Sequence, residues 1–223
     1  MTTIAQVKQA VQPLLLRNPD LALVGRLVII KPVRHILCGI NIGRSLDALK
    51  FVPTWSVVVL SEPQKNFGYL WGARVRGARG NWKLTDPDIA ATMCEAIEQE
   101  ALIPMRAVKT FDDFIKLASK ERFPVQHLDL HPSTRIIVDI ARGDLDAAQA
   151  ICRYFRTDEG RAEYLPYLKE EYDRVTQELC PLVATKDRPG LAKLLHSYEA
   201  QSIKNLKLEK FWEPTPFPIQ MKP

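Results

Sequence analysis

The chain changes its hydrophobic period once, and that change limits its folding more than any other feature. Between residues 21 and 75 the apolar side chains come in four short runs, 21–30, 33–42, 55–60 and 67–75, rich in β-branched and aromatic residues. Pro32, Gly43, Pro53 and the stretch 63–66 punctuate them, as turns punctuate strands. In the second run Arg34, Ile36, Cys38, Ile40 and Ile42 share one strand face, with Val33, His35, Leu37, Gly39 and Asn41 on the other. Short connections between consecutive strands favour an antiparallel meander. Ahead of them, Ile4, Val7, Val11 and Leu14 recur at helical spacing, and Pro13 is expected to weaken that helix or end it early.

From residue 86 the spacing is helical. Asp86-Pro87-Asp88 reads as a helix start. Thr110 with Asp113 reads as the start of a second helix. Segments 133–141 and 145–155 read as two helices around a Gly143-Asp144 turn, and longer amphipathic segments follow near 160–179 and 188–210. The tail from Trp212 is too proline-rich for a helix, and Trp212, Phe217 and Ile219 are expected to clamp it onto the body. Strands first and helices afterwards define the α+β class. The expectation is an N-terminal helix and an antiparallel four-stranded sheet, followed by a mainly α-helical C-terminal half. The division falls between 1–109, with the sheet and its covering helix, and 110–223, with the helical region and tail, packed as one compact unit.

At 46% hydrophobic and 26% charged residues, the 223-residue chain has the composition of an ordinary globular protein and can bury a core without staples. Cys38, Cys94, Cys152 and Cys180 each stand alone among apolar neighbours, outside any C-x-x-C pair. They are expected to pack as small hydrophobes, with no zinc or dithiol chemistry. The first residues show no signal-peptide pattern, and the apolar runs fall far short of the ~20 residues of a spanning helix. A cytoplasmic location with no membrane contact is the expectation.

The net charge of +5 is unevenly spread: 12 Lys/Arg face three acids through residue 83, while 19 face 23 beyond it. Within the basic part, Trp71, Arg74, Arg76, Arg79, Trp82 and Lys83 combine cations with aromatic rings and no acid. Guanidinium forks suit phosphate, and aromatic faces can stack on bases. The same residues also suit a solvated edge strand, where cations block unwanted pairing. A second pattern, His127-Leu-Asp129-Leu-His131, puts two imidazoles and a carboxylate on one face if extended, a ligand set suited to zinc, iron or manganese. The flanking prolines make it a loop just as readily. Nucleophile elbows, dinucleotide loops and Walker lysines are missing, and Glu95, Glu98 and Glu100 read as a charged helix face.

Three functions are consistent with this sequence. The first is a non-catalytic module that binds another protein, with the layout of bacterial immunity-type or adaptor proteins, no cofactor, and with an anionic ligand and a homodimer both open. The second is a metal-dependent or phosphate-handling enzyme built on His127, Asp129 and His131. The third is nucleic-acid binding through the 74–83 segment.

Overall fold

Gly25 decides how the sheet begins. At φ +61° it opens a two-residue turn with Arg26 and splits the run 21–30 into a hairpin, β1 (Leu21–Val24) against β2 (Leu27–Ile30). A positive φ at the first turn position costs glycine little and matches the twist of the flanking strands. The computed structural model describes residues 2–44, 47, 49–77, 82–83, 85–119, 127–164 and 168–221. The meander continues through β3 (Ile36–Arg44), β4 (Lys50–Val59) and β5 (Trp71–Arg74), all antiparallel in sequence order. A short β6 (Trp82–Lys83) pairs with β4 beyond the end of β5. The fold is α+β as the sequence predicts, with six strands among the described residues in place of the expected four.

Pro53 lies inside β4, where the sequence suggested a break. Its partner Ile42 turns away, its N–H donating to the Arg26 carbonyl (2.9 Å) and its carbonyl accepting from Arg26 Nε (2.8 Å). On its other side Pro53 falls between the β5 and β6 pairings and uses only its carbonyl, which accepts from Val75 N–H (2.9 Å). No ladder bond there needs the missing donor. Pro13 is likewise absorbed, and α1 (Ile4–Arg17) runs through it. The proline costs about 3 kcal/mol. Burial of Val7, Val11 and Leu14 stabilises by roughly 1.5–3 kcal/mol each, so packing wins.

One sheet face, with Ile40, Ile42, Trp55, Val57, Val59 and Trp71, forms the main core together with α1, α2 (Ile89–Ile97) and the later helices. This cluster includes residues from both sides of position 109, from Val7 to Ile219. Among the described residues the opposite face is covered at one end only, where Leu27, Ile29, Leu37, Val58 and Leu60 meet Ile203, Leu208, Phe211 and Trp212.

α2 begins after Asp88, later than the Asp86-Pro87 signal, and passes through a π-helical turn (Glu98–Leu102) into α3 (Ile103–Arg106). Two of its acids, read from sequence as a solvated face, are pins. Glu98 accepts from Arg17 Nε and Nη2 (both 3.0 Å) and from Asn18 Nδ2 (2.8 Å). Glu100 accepts from the backbone N–H groups of Arg76 (3.0 Å) and Gly77 (2.7 Å). α4 (Phe111–Ala118) starts with the expected capping box of Thr110 and Asp113. α5 (Pro132–Arg142) and α6 (Leu145–Phe155) make the expected hairpin, with Gly143 left-handed and Asp144 capping Ala147 N–H. The 160–179 segment is broken into α7 (Asp158–Tyr164), α8 (Lys169–Asp173) and a π-helical stretch (Arg174–Leu179) leading to α9 (Cys180–Ala184). α10 (Arg188–Leu206) ends at Lys207, and α11 (Pro218–Met221) closes the chain.

Cys152 of α6 and Cys180 of α9 are joined in a disulfide, which corrects the expectation of four isolated thiols. The sequence could not show it, because the two cysteines are 28 residues apart and meet only once α6 packs on α9. Cys38 and Cys94 are free and buried.

Candidate ligand cleft

The tail is stitched across the start of β3, and the stitching builds a cleft. Val33 N–H donates to the Phe211 carbonyl (2.8 Å) and Glu213 N–H donates to the Val33 carbonyl (2.9 Å). Arg34 pairs with Glu213 (3.2 Å), and the His35 ring stacks on Phe217 at 4.0 Å. Phe217 and Ile219 are fully buried and Trp212 is half-buried, so the clamp read from the sequence exists. Between the β2–β3 connection, the α3–α4 connection and this tail lies a cleft of about 800 Å³.

Its walls are apolar: Ile30, Pro32, Ile36, Met105, Val108 and Phe111. Its rim is cationic, with Lys31, Arg34, Arg106 and Lys109 against Asp20, the single acid among its described lining residues. That acid is already engaged, since Arg106 holds it through Nε (3.0 Å) and Nη2 (2.8 Å). Among the described residues the ammonium groups of Lys31 and Lys109 have no ion-pair partner. Cys38 lies on the floor, but burial pushes its thiol up to about 12 and its Sγ faces the Met105 carbonyl. A thiol held that high is no nucleophile.

A polar chain enters the cleft from below. The Glu199 carboxylate is fully buried and accepts from Trp212 Nε1 (3.0 Å) and from His35 Nδ1 (3.0 Å). A proton on Nδ1 leaves Nε2 as an acceptor, and Thr215 Oγ1 lies 3.0 Å from it. The Pro216 carbonyl is 3.3 Å from the same nitrogen. His35 and Thr215 both line the cleft. Phe111, at 5.8 Å from the His35 ring, and Phe217 restrain the imidazole on two sides. Neither His35 nor Glu199 stands out in the sequence, because 164 residues separate them and neither belongs to a motif.

The residues singled out by sequence lie elsewhere. Trp71 and Trp82 are buried in the core, Trp82 donating to the Val75 carbonyl (2.9 Å). Their faces are therefore not offered to solvent. Arg74, Arg76 and Lys83 are exposed; the guanidinium groups of Arg74 and Arg76 pair with none of the described residues, the Lys83 charge acts on Asp47, and Arg79 lies outside those described. Lys83 stands directly across from Lys50, and Arg74 from Thr54, at the uncovered end of the sheet face.

His127 and Asp129 sit on a 3₁₀ turn (Leu128–Leu130), with Nδ1 and Oδ2 3.4 Å apart, and Arg135 takes the other Asp129 oxygen (2.9 Å). The His131 and Trp71 rings meet edge to face at 5.8 Å, and the buried Nε2 of His131 has no hydrogen-bond partner among the described residues. Among the described residues no three His, Cys, Asp or Glu side chains are grouped to hold a metal ion. His131 instead borders a second, smaller cavity of about 410 Å³ with Glu62, Tyr164 and Glu171. There burial raises the Glu62 carboxyl, against the Thr134 hydroxyl that donates to it (2.8 Å), and burial lowers the His131 imidazole. Among the described residues no helix is long and apolar enough to cross a membrane.

No family model, curated protein or solved structure matches the chain.

Proposed function

We propose that the protein is a binding module for an amphipathic anion, a carboxylate, phosphate or sulfate carried on an aliphatic or aromatic body. The observation that carries this reading is the pairing of an apolar-walled cleft with two rim lysines that lack counter-charges among the described residues. A volume of about 800 Å³ suits a small organic ligand, and such sites join apolar walls to a few convergent polar groups. Titration calorimetry on the full chain tests it, using octanoate, octylamine and acetate. Octanoate binds, while octylamine, an ammonium ion near neutral pH, carries the opposite charge and acetate lacks the body. Lys31→Ala and Lys109→Ala each weaken octanoate binding about tenfold, since a hydrogen bond to a charged group is worth about 1.5–3 kcal/mol. Equal heats for octanoate and octylamine would sink the reading.

A second reading, a protein partner for the cationic end of the sheet, is favoured by one observation. Lys50 and Lys83 face each other in register, an arrangement that destabilises a sheet unless something offsets it. Asp47 supplies part of the offset at 3.2 Å from Lys50. With Trp71 and Trp82 buried, the patch presents charge without their stacking faces, which suits an acidic protein surface better than nucleic acid. Capture of a partner that survives Lys50→Glu with Lys83→Glu would remove this reading.

A further inference from the structure

The cleft holds an arrangement that simple ligand binding does not require. A buried carboxylate, an imidazole and a hydroxyl stand in line, Glu199 to His35 at 3.0 Å and His35 to Thr215 at 3.0 Å, with the hydroxyl end at the ligand space. A nucleophile and a base within hydrogen-bond reach, with the base oriented by a third group, is the geometry of nucleophilic acyl transfer. We propose that Thr215, His35 and Glu199 form an acyl-transfer relay acting on an ester or thioester of the amphipathic anion bound in the cleft. The proposal rests on the anion-binding reading and adds a reaction to it.

The roles follow from the bonds. In the neutral ring, with the Nδ1 proton donated to Glu199, the lone pair of His35 lies on Nε2, 3.0 Å from Thr215 Oγ1. Once Nε2 takes up a proton, the Pro216 carbonyl at 3.3 Å can accept from it and stabilise the imidazolium. Glu199 is fully buried and reaches the reaction only through His35, which makes it a positioning residue. Trp212 Nε1 holds its other oxygen at 3.0 Å, and Phe217 stacks on the imidazole at 4.0 Å, so the line is fixed from both ends. In the first step Thr215 Oγ1 bonds to the carbonyl carbon while its proton passes to His35 Nε2. The tetrahedral adduct then expels the alcohol or thiol, which takes that proton, and leaves the acyl group on Thr215. In the second step water attacks the acyl ester with His35 accepting its proton. The free acid departs and Thr215 recovers its hydrogen. No oxidant, reductant or further reactant is consumed. Lys31 and Lys109 hold the anionic end of the substrate at the rim, which leaves the scissile bond toward the tail.

The same bonds also fasten the tail, so the test must separate fastening from chemistry. The probe is the mono-4-nitrophenyl ester of suberic acid, an anion at one end and an activated ester at the other, with suberate as the unreactive ligand. Wild type releases a burst of about one equivalent of nitrophenolate, the mark of an accumulating acyl-enzyme. Mass spectrometry places the acyl group on the peptide containing Thr215. Thr215→Val abolishes the burst yet keeps suberate affinity and melting temperature, and Thr215→Ser retains it. Glu199→Gln lowers the burst rate at saturating ester by at least about tenfold with the suberate affinity unchanged, a separation that mere loss of a tail contact would not produce. Suberate binding without any burst, or an undiminished burst in Thr215→Val, overturns the relay and leaves the ligand reading standing. Failure of suberate to bind overturns the ligand reading and the relay with it.

Discussion

Removing His35 from beside Glu199 should cost far more than removing a surface histidine. The Glu199 carboxylate has no exposure, and its described polar contacts are His35 Nδ1, Trp212 Nε1 and, more distantly, His196 Nδ1 at 3.9 Å. In His35→Leu one oxygen loses its close donor while the carboxylate stays buried. Breaking a buried pair by deleting one partner costs about 3–5 kcal/mol, most of it from the charge left behind. Loss of the ring stack with Phe217 adds about 0.5–1.5 kcal/mol. Urea unfolding followed by tryptophan fluorescence measures the sum, about 3.5–6.5 kcal/mol on these figures. The decisive comparison is with the double variant His35→Leu, Glu199→Leu. It removes the stranded charge and should recover most of the loss, giving a coupling energy of at least about 2 kcal/mol in a double-mutant cycle. A His35→Leu cost below about 1 kcal/mol, or additive single and double variants, would refute the claim that these groups form one buried unit.

Other outcomes follow from the same structure. Thiol titration of the unfolded, unreduced chain should find two thiols, Cys38 and Cys94, because Cys152 and Cys180 are bonded; four would deny the disulfide. Cys152→Ala with Cys180→Ala should lower stability by about 3.6 kcal/mol on the loop-entropy relation for a 28-residue separation. Burial lowers the His131 imidazole, so the folded chain binds its proton less readily than the unfolded chain. The stability it contributes is present above the ordinary value of about 6.5 and falls as pH drops below it. His131→Asn should flatten that part of the stability–pH curve, and an unchanged slope would count against it. Arg17 holds the Glu98 carboxyl below its ordinary range, so its contribution is present above about 4.3 and lost on acidification. Glu98→Gln should therefore weaken the chain near neutrality and converge with wild type in acid. A deficit that persists in acid would point to packing instead.

The change of period at residue 86 and the turn signals made the layout legible, down to the Thr110–Asp113 capping box and the Gly143-Asp144 turn. Punctuation was harder. Pro53 and Pro13 look like breaks because local propensity says so, yet a non-hydrogen-bonded ladder position and a fully apolar helix face absorb them. The candidate site was scarcely legible. A cluster such as Arg74 to Lys83 is contiguous and therefore conspicuous, whereas the cleft takes Lys31 and His35 from one turn, Lys109 from another and Thr215 from the tail, with Glu199 of α10 buried behind His35. The parallel bridge between Val33 and Trp212 draws the tail to the first of these segments, and no local pattern encodes that contact. The tail's buried aromatics were the one available hint, since they had to pack against something.

Amide shift mapping by NMR with octanoate tests the central claim, an anion-binding cleft under the tail, most directly. Saturable shifts are predicted at Lys31, Arg34, His35, Val108, Lys109, Phe111 and Thr215, which surround one volume. Shifts spread over the exposed cations Arg74, Arg76 and Lys83, or none up to millimolar octanoate, would contradict that claim.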